Sequence, residues 1–325
     1  MKAAFYTEYG SADVVRLKDV ERPVPTDDEV LIRVCAASVN AYDCHFMHGE
    51  PRAMRLATGL RRPKDGRLGV DVAGRVETVG KNVTEFKPGD EVFGVSRGAF
   101  AEYACPSASR LALKPLNVSF EQAAAIPIAG CTALQALRDK GQIKPGQKVL
   151  INGAGGGVGT FAVQIAKLLG AEVTAVTSTK NLELVRSLGA DHTVDYTRED
   201  FTRAGKRYDA ILELGANHSW SDIRRSLTSD GKWLFVGAVA TRGWLRPLGT
   251  LVKALAQSPF VSQKIQLVPA RVTRDDLVVM SEFLEAGKIK PAIEKTYSLA
   301  DVAQALRHIE QGHVRGKVVI TGELS

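Results

Sequence analysis

The chain has 325 residues, 45% of them hydrophobic and 24% charged, which is enough for two domains with cores of their own. Its 43 Lys and Arg against 36 Asp and Glu give a net charge of +7. No run of basic residues and no nucleic-acid recognition motif accompanies that charge, so it reads as a solvated basic face, loosely enriched over Arg52–Arg67 and Arg242–Lys264, and nucleic acid is excluded as a partner. No apolar run reaches the roughly eighteen residues of a membrane span, and the opening MKAAFYTEYG lacks the apolar centre of a signal peptide. Cys35, Cys44, Cys105 and Cys131 form no C-x-x-C pair and read as reduced thiols of a cytoplasmic protein.

Up to about Ser119, short β-branched runs are broken by Gly and Pro: Val30–Val39, Val70–Val79 and Asp90–Val95, with Lys87–Asp90 as a tight turn. This spacing predicts an antiparallel, partly open barrel. From Phe120 the rhythm changes. Helices are expected over Glu121–Lys140, Val158–Leu169, Leu182–Leu188 and Ser219–Leu227. Strands are expected over Lys148–Asn152, Glu172–Thr177, His192–Asp195, Tyr208–Glu213 and Gly231–Val236. That alternation implies a parallel sheet covered on both faces. After Gln266 the elements are mixed again, with helices over Arg274–Glu285 and Asp301–Glu310 and a strand over Gly316–Ile320. The expected division is 1–120, 121–262 and 263–325, the last part returning to complete the first domain.

The stretch INGAGGGVGTFAVQIAKLLG, Ile151 to Gly170, places glycines between a strand and a helix. Such a junction aims backbone N–H groups and a positive dipole end at one point, which suits a pyrophosphate. In the helix-entry register it reads A-x-G-x-x-G, with Ala154, Gly156 and Gly159, one glycine short of the full dinucleotide fingerprint. Gly156 is expected to let the backbone approach the phosphates, Gly157 and Val158 to supply amides, and Gly159 to let the helix pack on the strand. An acid after the next strand would favour NAD; here Thr177, Ser178 and Lys180 offer hydroxyl donors and a cation, which favours the 2′-phosphate of NADPH. Tyr196 is either a lining residue of the adenosine end or an ordinary surface tyrosine.

Taken together, KAAFYTEYG from Lys2, ASVNAYD from Ala37, GVDVAGRVETVG from Gly69, FKPGDEVFG from Phe86, IPIAGCTALQAL from Ile126, GAGGGVG from Gly153 and SLGADHTVDY from Ser187 resemble the medium-chain dehydrogenase/reductase superfamily, and within it the zinc-independent quinone oxidoreductases, over nearly the whole chain. The resemblance implies an α/β fold: a Rossmann doubly wound parallel sheet plus a GroES-like, mostly β domain. In the zinc branch a Gly-His-Glu stands where this chain has Gly69-Val70-Asp71, and valine has no lone pair for a metal. That branch's first cysteine ligand falls near Ala41, its third within Ile126–Gly130, and its cysteine-rich lobe, which would precede Gly98, is absent. Cys44 and His45 are adjacent and do not converge on one ion, and His48, His192, His218, His308 and His313 lack ligand spacing, so no metal is expected.

Hydride chemistry without a metal needs an electron-poor acceptor, a quinone or an activated alkene. The resemblance implies a nicotinamide flanked by Asn40, Thr132 and the Val236–Gly237 turn, with Leu214 completing the cofactor set and Lys317 at a basic position that reaches the pyrophosphate. Asn40 is either a donor to the ribose or acceptor oxygen or a loop cap; Thr132 is either a site residue or the cap of a helix over Thr132–Arg138; Tyr42 is a candidate acid, and Asp43 a structural hydrogen-bonder. The segment from Thr241 to Gln266, with Trp244, Leu248 and Phe260 beside Arg242, Arg246 and Lys253, either roofs a substrate cleft, approaches a membrane surface or covers a partner subunit. A homodimer joined near Phe235 is implied by the resemblance. The expectation is an NADPH-dependent quinone or enone reductase; an alkenal or 2-enoyl thioester reductase and a catalytically weak NADPH-binding sensor are the alternatives.

Overall fold

A computed structural model describes residues 1–215, 218–236, 261–312 and 314–322. Gly237, His313 and the Thr241–Phe260 part of the segment singled out above lie outside them. The chain divides into two compact units, residues 1–131 with 272–325, and residues 132–271. Both divisions fall later than the composition change suggests.

The first unit carries β1 (Lys2–Tyr6), β2 (Val15–Asp19), β3 (Val30–Val39), α1 (Ala41–His48), α2 (Arg55–Thr58), β4 (Asp71–Val79), β5 (Glu91–Val95), β6 (Tyr103–Ala104), β7 (Leu111–Leu113) and α3 (Phe120–Ala124). Ser119 and Gln122 cap α3 reciprocally, each side chain accepting the other's backbone N–H. The single long helix expected from Glu121 is instead interrupted before α4 (Pro127–Leu134) and passes into π-helical turns over Gln135–Gly141. Pro127 explains the break, since a proline disfavours helical backbone at the residue before it.

In the second unit follow β8 (Lys148–Asn152), α5 (Gly157–Leu168), β9 (Glu172–Thr177), α6 (Leu182–Ser187), β10 (His192–Asp195), β11 (Tyr208–Glu213), α7 (Trp220–Arg225), β12 (Leu227–Val236) and β13 (Lys264–Val268). All six strands are parallel, in the order β10-β9-β8-β11-β12-β13. From β8 the chain winds outward through β9 to β10, and from β11 outward the other way to β13. The reversal between β8 and β11 is the doubly wound signature, and the carboxyl ends of those two strands form its crevice. The expected dimer contact near Phe235 needs correction: Phe235 lies on β12, which β13 covers along its whole Lys232–Val236 edge, so β12 has no free edge for a second sheet. β13 itself was not anticipated.

The chain then returns to the first unit with α8 (Arg274–Glu285), β14 (Ile293–Ser298), α9 (Val302–Glu310) and β15 (Lys317–Thr321). β15 pairs antiparallel with β3, Val318 opposite Val39, and the sheet runs β14-β15-β3-β4-β5-β7 with β6 also on β3. It is an open sheet. α9 buries Val302, Ala305 and Leu306, one helical stripe, in the core of this unit.

The second unit's core is aromatic. Trp233 is fully buried, stacked 5.4 Å from Trp220 and edge-on 5.2 Å from Phe235. Trp233→Ala is expected to cost about 3–5 kcal/mol, read as a lowered urea midpoint with an unchanged slope. A loss below about 1 kcal/mol would mean that this cluster does not organise the sheet.

Candidate functional site

The glycine loop is built in steps. Asn152 ends β8, and Gly153 turns with φ +91, a left-handed value that favours glycine. The N–H groups of Gly153 and Ala154 both donate to Val176 O, at 3.1 and 3.0 Å, so Ala154, fully buried, anchors the loop and its amide is spent. Gly156 is the N-cap of α5, and the amides of Gly157, Val158 and Gly159 form its first turn, where helix geometry provides no intrahelical acceptor. The three glycines behave differently. A Cβ on Gly159 would sit 2.2 Å from Gly153 O, and one on Gly155 2.5 Å from both Thr177 Oγ1 and Asn181 Nδ2. A Cβ on Gly156 would meet only Gly153 O, at 3.6 Å. The fold therefore needs glycine at 159, where the neighbour is backbone, and crowds 155 against two side chains, while a Cβ at 156 would clash with nothing, as expected where glycine serves the close approach of a ligand's phosphates.

Beside the loop, Thr177 ends β9, buried against Gly155. Ser178 precedes a single 3₁₀ turn without capping it by its side chain, and Lys180 is exposed, with no ion pair among the described residues. Tyr196 is exposed, its N–H on Thr177 O at 3.1 Å, and Leu214 packs over Gly153. Sequence reasoning passed over an acid here. Asp195, at the end of β10, accepts the hydroxyls of Thr179 and Thr197 and the Thr197 N–H; the Thr179 hydroxyl foremost holds its carboxyl below the usual range. Its lone pairs are taken by threonines.

Also missed were the residues at the strand-order reversal. Asn152 Nδ2 donates to Glu213 Oε1 at 2.7 Å and lies 3.4 Å from His218 Nδ1, and Gly215 N–H donates to the same Glu213 oxygen. His218 Nε2 faces Asp200 at 3.7 Å, and burial holds its imidazole below the usual range. Only the strand order could have revealed that Asn152 and Glu213 are neighbours. Val236 ends β12.

In the first unit a buried polar cluster joins four elements. Lys317 Nζ, on β15, donates to Asn40 Oδ1 at 2.6 Å and to Val39 O at 3.3 Å, and lies 3.5 Å from Asp71 Oδ2. Asn40 Nδ2 donates to Asp71 Oδ2 at 2.9 Å and to Ser38 O at 3.3 Å. Asp71 further accepts the Ser38 hydroxyl at 2.8 Å and the Ile128 N–H at 3.0 Å. This geometry corrects two expectations. Lys317 has three N–H donors and three internal acceptors, so none is left for a pyrophosphate. Asn40 has both amide hydrogens committed, so it does not donate to a ligand; its backbone N–H caps α1 on Asp43 at 2.8 Å. Thr132 is buried within α4 and caps nothing.

Asp43 is the second carboxyl of this buried region, and burial pushes it up to about 7, with the Asn40 N–H opposing. Beside it, Tyr42 projects from α1, partly exposed, its ring 4.4 Å from Phe46. Burial and then Asp43 raise its phenol above the usual range, while the charges of Arg97 and Arg110 oppose. Both residues line a cavity of about 790 Å³ in this unit, whose wall includes Phe46, Leu68, Gly69, Val70 and Val95. No hydrogen bond within the described residues engages the Tyr42 hydroxyl.

Val70, the residue that replaces a ligand histidine, lines the same cavity. Among the described residues no three His, Cys, Asp or Glu side chains come together for a metal, and Cys44, on α1 and not on a strand or loop, has its thiol pushed up by burial. The donor set does not fit a catalytic zinc.

Two variants separate the roles of the glycines. Gly156→Ala should fold with wild-type stability and lose at least tenfold in dinucleotide affinity, whereas Gly159→Ala should lower the melting temperature whether or not the nucleotide is present. Equal behaviour in calorimetry and titration would contradict the distinction. Asp43 gives a pH test. Its folded value lies above the usual carboxylate range, so the native state holds a proton that the unfolded chain has released. Its contribution is full below about pH 4 and is lost as pH rises through about 7. Asp43→Asn keeps an acceptor for the Asn40 N–H and should gain on the order of 4 kcal/mol over the wild type at pH 8, the gap narrowing as pH falls and closing below about pH 4. A constant offset across that range would overturn the assignment.

Comparison with known proteins places the chain. Residues 26–116 match the alcohol dehydrogenase GroES-like domain model, and residues 188–320 the zinc-binding dehydrogenase model. The chain is 32% identical to the chloroplastic quinone-oxidoreductase QR1 of Triphysaria versicolor over 98% of each chain. It is 33% identical to the chloroplastic NADPH-dependent alkenal/one oxidoreductase of Arabidopsis thaliana, over 98% of this chain and 79% of that one. The structure of the quinone oxidoreductase from Coxiella burnetii superposes with a TM-score of 0.87 at 30% identity, covering 99% of both. The zinc in the second model's description has no counterpart in the donor set above, and the chain belongs to the zinc-independent quinone oxidoreductase family of the medium-chain dehydrogenase/reductase superfamily.

Proposed function

We propose that the chain is an NADPH-dependent reductase of quinones or activated alkenes, of the NADPH:quinone oxidoreductase type. The observation that carries this reading is Gly156, where a Cβ would clash with nothing in the protein, before the first-turn amides of α5, which fits a pyrophosphate. The names of the relatives support the acceptor class and NADPH. When bound, NADPH supplies the hydride. The protein's part is to hold and orient. The amides of Gly157, Val158 and Gly159 hold the pyrophosphate, and Ser178 and Lys180 hold the 2′-phosphate, with Thr177 shaping that pocket; Tyr196 and Leu214 line the nucleotide, and Val236 and Thr132 stand towards the nicotinamide. Tyr42 donates a hydrogen bond from its phenol to the acceptor oxygen, where negative charge develops. Asn40 and Lys317 act by holding the start of α1, and so Tyr42, in place.

No helix among the described residues is long and apolar enough to cross a membrane. The four cysteines are all free thiols, which supports the cytoplasm as the compartment. A homodimer is part of the reading, with β13 rather than β12 as the sheet edge open to a partner; a monomer by sedimentation at micromolar concentration would remove it.

Oxidation of NADPH at 340 nm should proceed with an ortho-quinone, a para-quinone, an enal or an enoyl thioester, in the presence of a chelator, and faster than with NADH. Nucleotide binding without turnover of any acceptor would point to a sensor instead, and a preference for NADH would overturn the roles of Ser178 and Lys180. Tyr42→Phe should lower kcat/KM about 100-fold while leaving the NADPH dissociation constant as it is; an unchanged kcat/KM would remove Tyr42 from the chemistry.

A further inference from the structure

The wall of the cavity that Tyr42 lines includes the apolar side chains of Phe46, Leu68, Val70 and Val95. It also includes four cations, Lys64, Arg67, Arg97 and Arg110, against two carboxyls, the half-buried Asp65 and the buried Asp43. Asp65 is spent on two of those cations. Arg67 grips it with Nε and Nη2 at 3.0 and 2.8 Å, and Arg97 Nη1 reaches it at 3.1 Å. Although burial opposes it, the hydrogen bonds from Arg67 hold this carboxyl at about 2, so it is ionised at any physiological pH. Its geometry fixes the two guanidiniums and leaves each with N–H donors to spare. Arg110 and Lys64 have no ion pair among the described residues. The charges of Arg97 and Arg110 both act on the Tyr42 hydroxyl, the proposed hydrogen-bond donor, and all three residues line the same cavity.

A neutral quinone or enal would contact the apolar side chains and leave this charge unanswered. We propose that the acceptor carries an anionic oxyacid group, a carboxylate or a phosphate, seated on Arg110 and Lys64, with its conjugated body against Tyr42 and Val70. This rests on the reductase reading and names the acceptor's class within it. Arg110 supplies the planar donor pair that such a group takes bidentately, and Lys64 a mobile point charge. Because both are exposed, each contact is modest, and the preference comes from their sum with the Arg67–Asp65–Arg97 array behind them.

The test uses paired acceptors, one anionic and one neutral, with the ratio within each pair compared between the wild type and Arg110→Gln so that differences in intrinsic reactivity cancel: trans-4-oxo-2-pentenoate against its methyl ester, and 2-butenoyl coenzyme A against the 2-butenoyl thioester of N-acetylcysteamine. The first pair reads a carboxylate, the second a phosphate. In at least one pair the anionic member should show about tenfold higher kcat/KM at low ionic strength. That advantage should shrink as salt rises from 20 to 500 mM, and Arg110→Gln should reduce the ratio within the pair at least fivefold. A ratio within both pairs that neither salt nor Arg110→Gln changes overturns the proposal. So does an Arg110→Gln variant that slows both members alike, which would make the cations stabilisers of developing charge. If NADPH reduces none of these compounds, the reductase reading fails by itself, and the site is then read by ligand-observed NMR with the saturated 4-oxopentanoate and its methyl ester. Binding of the anion alone, lost in Arg110→Gln, keeps the site; equal or absent binding of the two removes it.

Discussion

The buried contact of Lys317 with Asn40 and Asp71 is the constraint on which the first unit's architecture depends. It joins residues 277 and 246 positions apart and closes the last strand of the chain onto the end of β3 and the start of β4. Ions removed from water lose several kcal/mol of solvation each, and only dense hydrogen bonding makes such burial tolerable. Here it is dense: Ser38, Asn40, Lys317 and the Ile128 amide all point at Asp71. Deleting one member would leave the others charged and unpaired, so the cluster acts as a single lock. It sets where β3 ends, and therefore where α1 begins and what Tyr42 faces.

The second unit solves a different problem, holding a highly charged ligand without many side-chain charges of its own. Backbone does the work. Val176 ties down the amides of Gly153 and Ala154, the close approach at Gly159 sets the pitch of α5, and the amides at the helix start are left over. A binding surface made of amides is preorganised and carries no counter-ion to displace. The polar contacts of Asn152, Glu213 and His218 fall at the same carboxyl ends because the sheet reverses direction there.

What was legible in the chain follows from burial. Glu172–Thr177, Tyr208–Glu213 and Arg274–Glu285 have the boundaries read from sequence, since inner parallel strands are nearly continuous apolar or β-branched runs and α8 carries a Thr273 cap with acids in its first turn. Elements whose faces are mixed were not legible. AYDCHFMH has no apolar stripe, so α1 went unread, and β13 and β14 are half-exposed strands with polar runs. The glycine loop was legible because its function is local. The commitments of Asn40 and Lys317 were not, because each depends on partners that only the folded sheet brings within reach.

The central claim is direct hydride transfer from NADPH at a site that polarises the acceptor without a metal ligand set. It is tested most directly with NADPH deuterated at both positions of C4 of the nicotinamide, presented with an enone in ordinary water and a chelator. The account predicts a product one mass unit heavier, with the deuterium on the β-carbon and the proton taken from water on the α-carbon. A product without deuterium, or deuterium appearing in water, would contradict it.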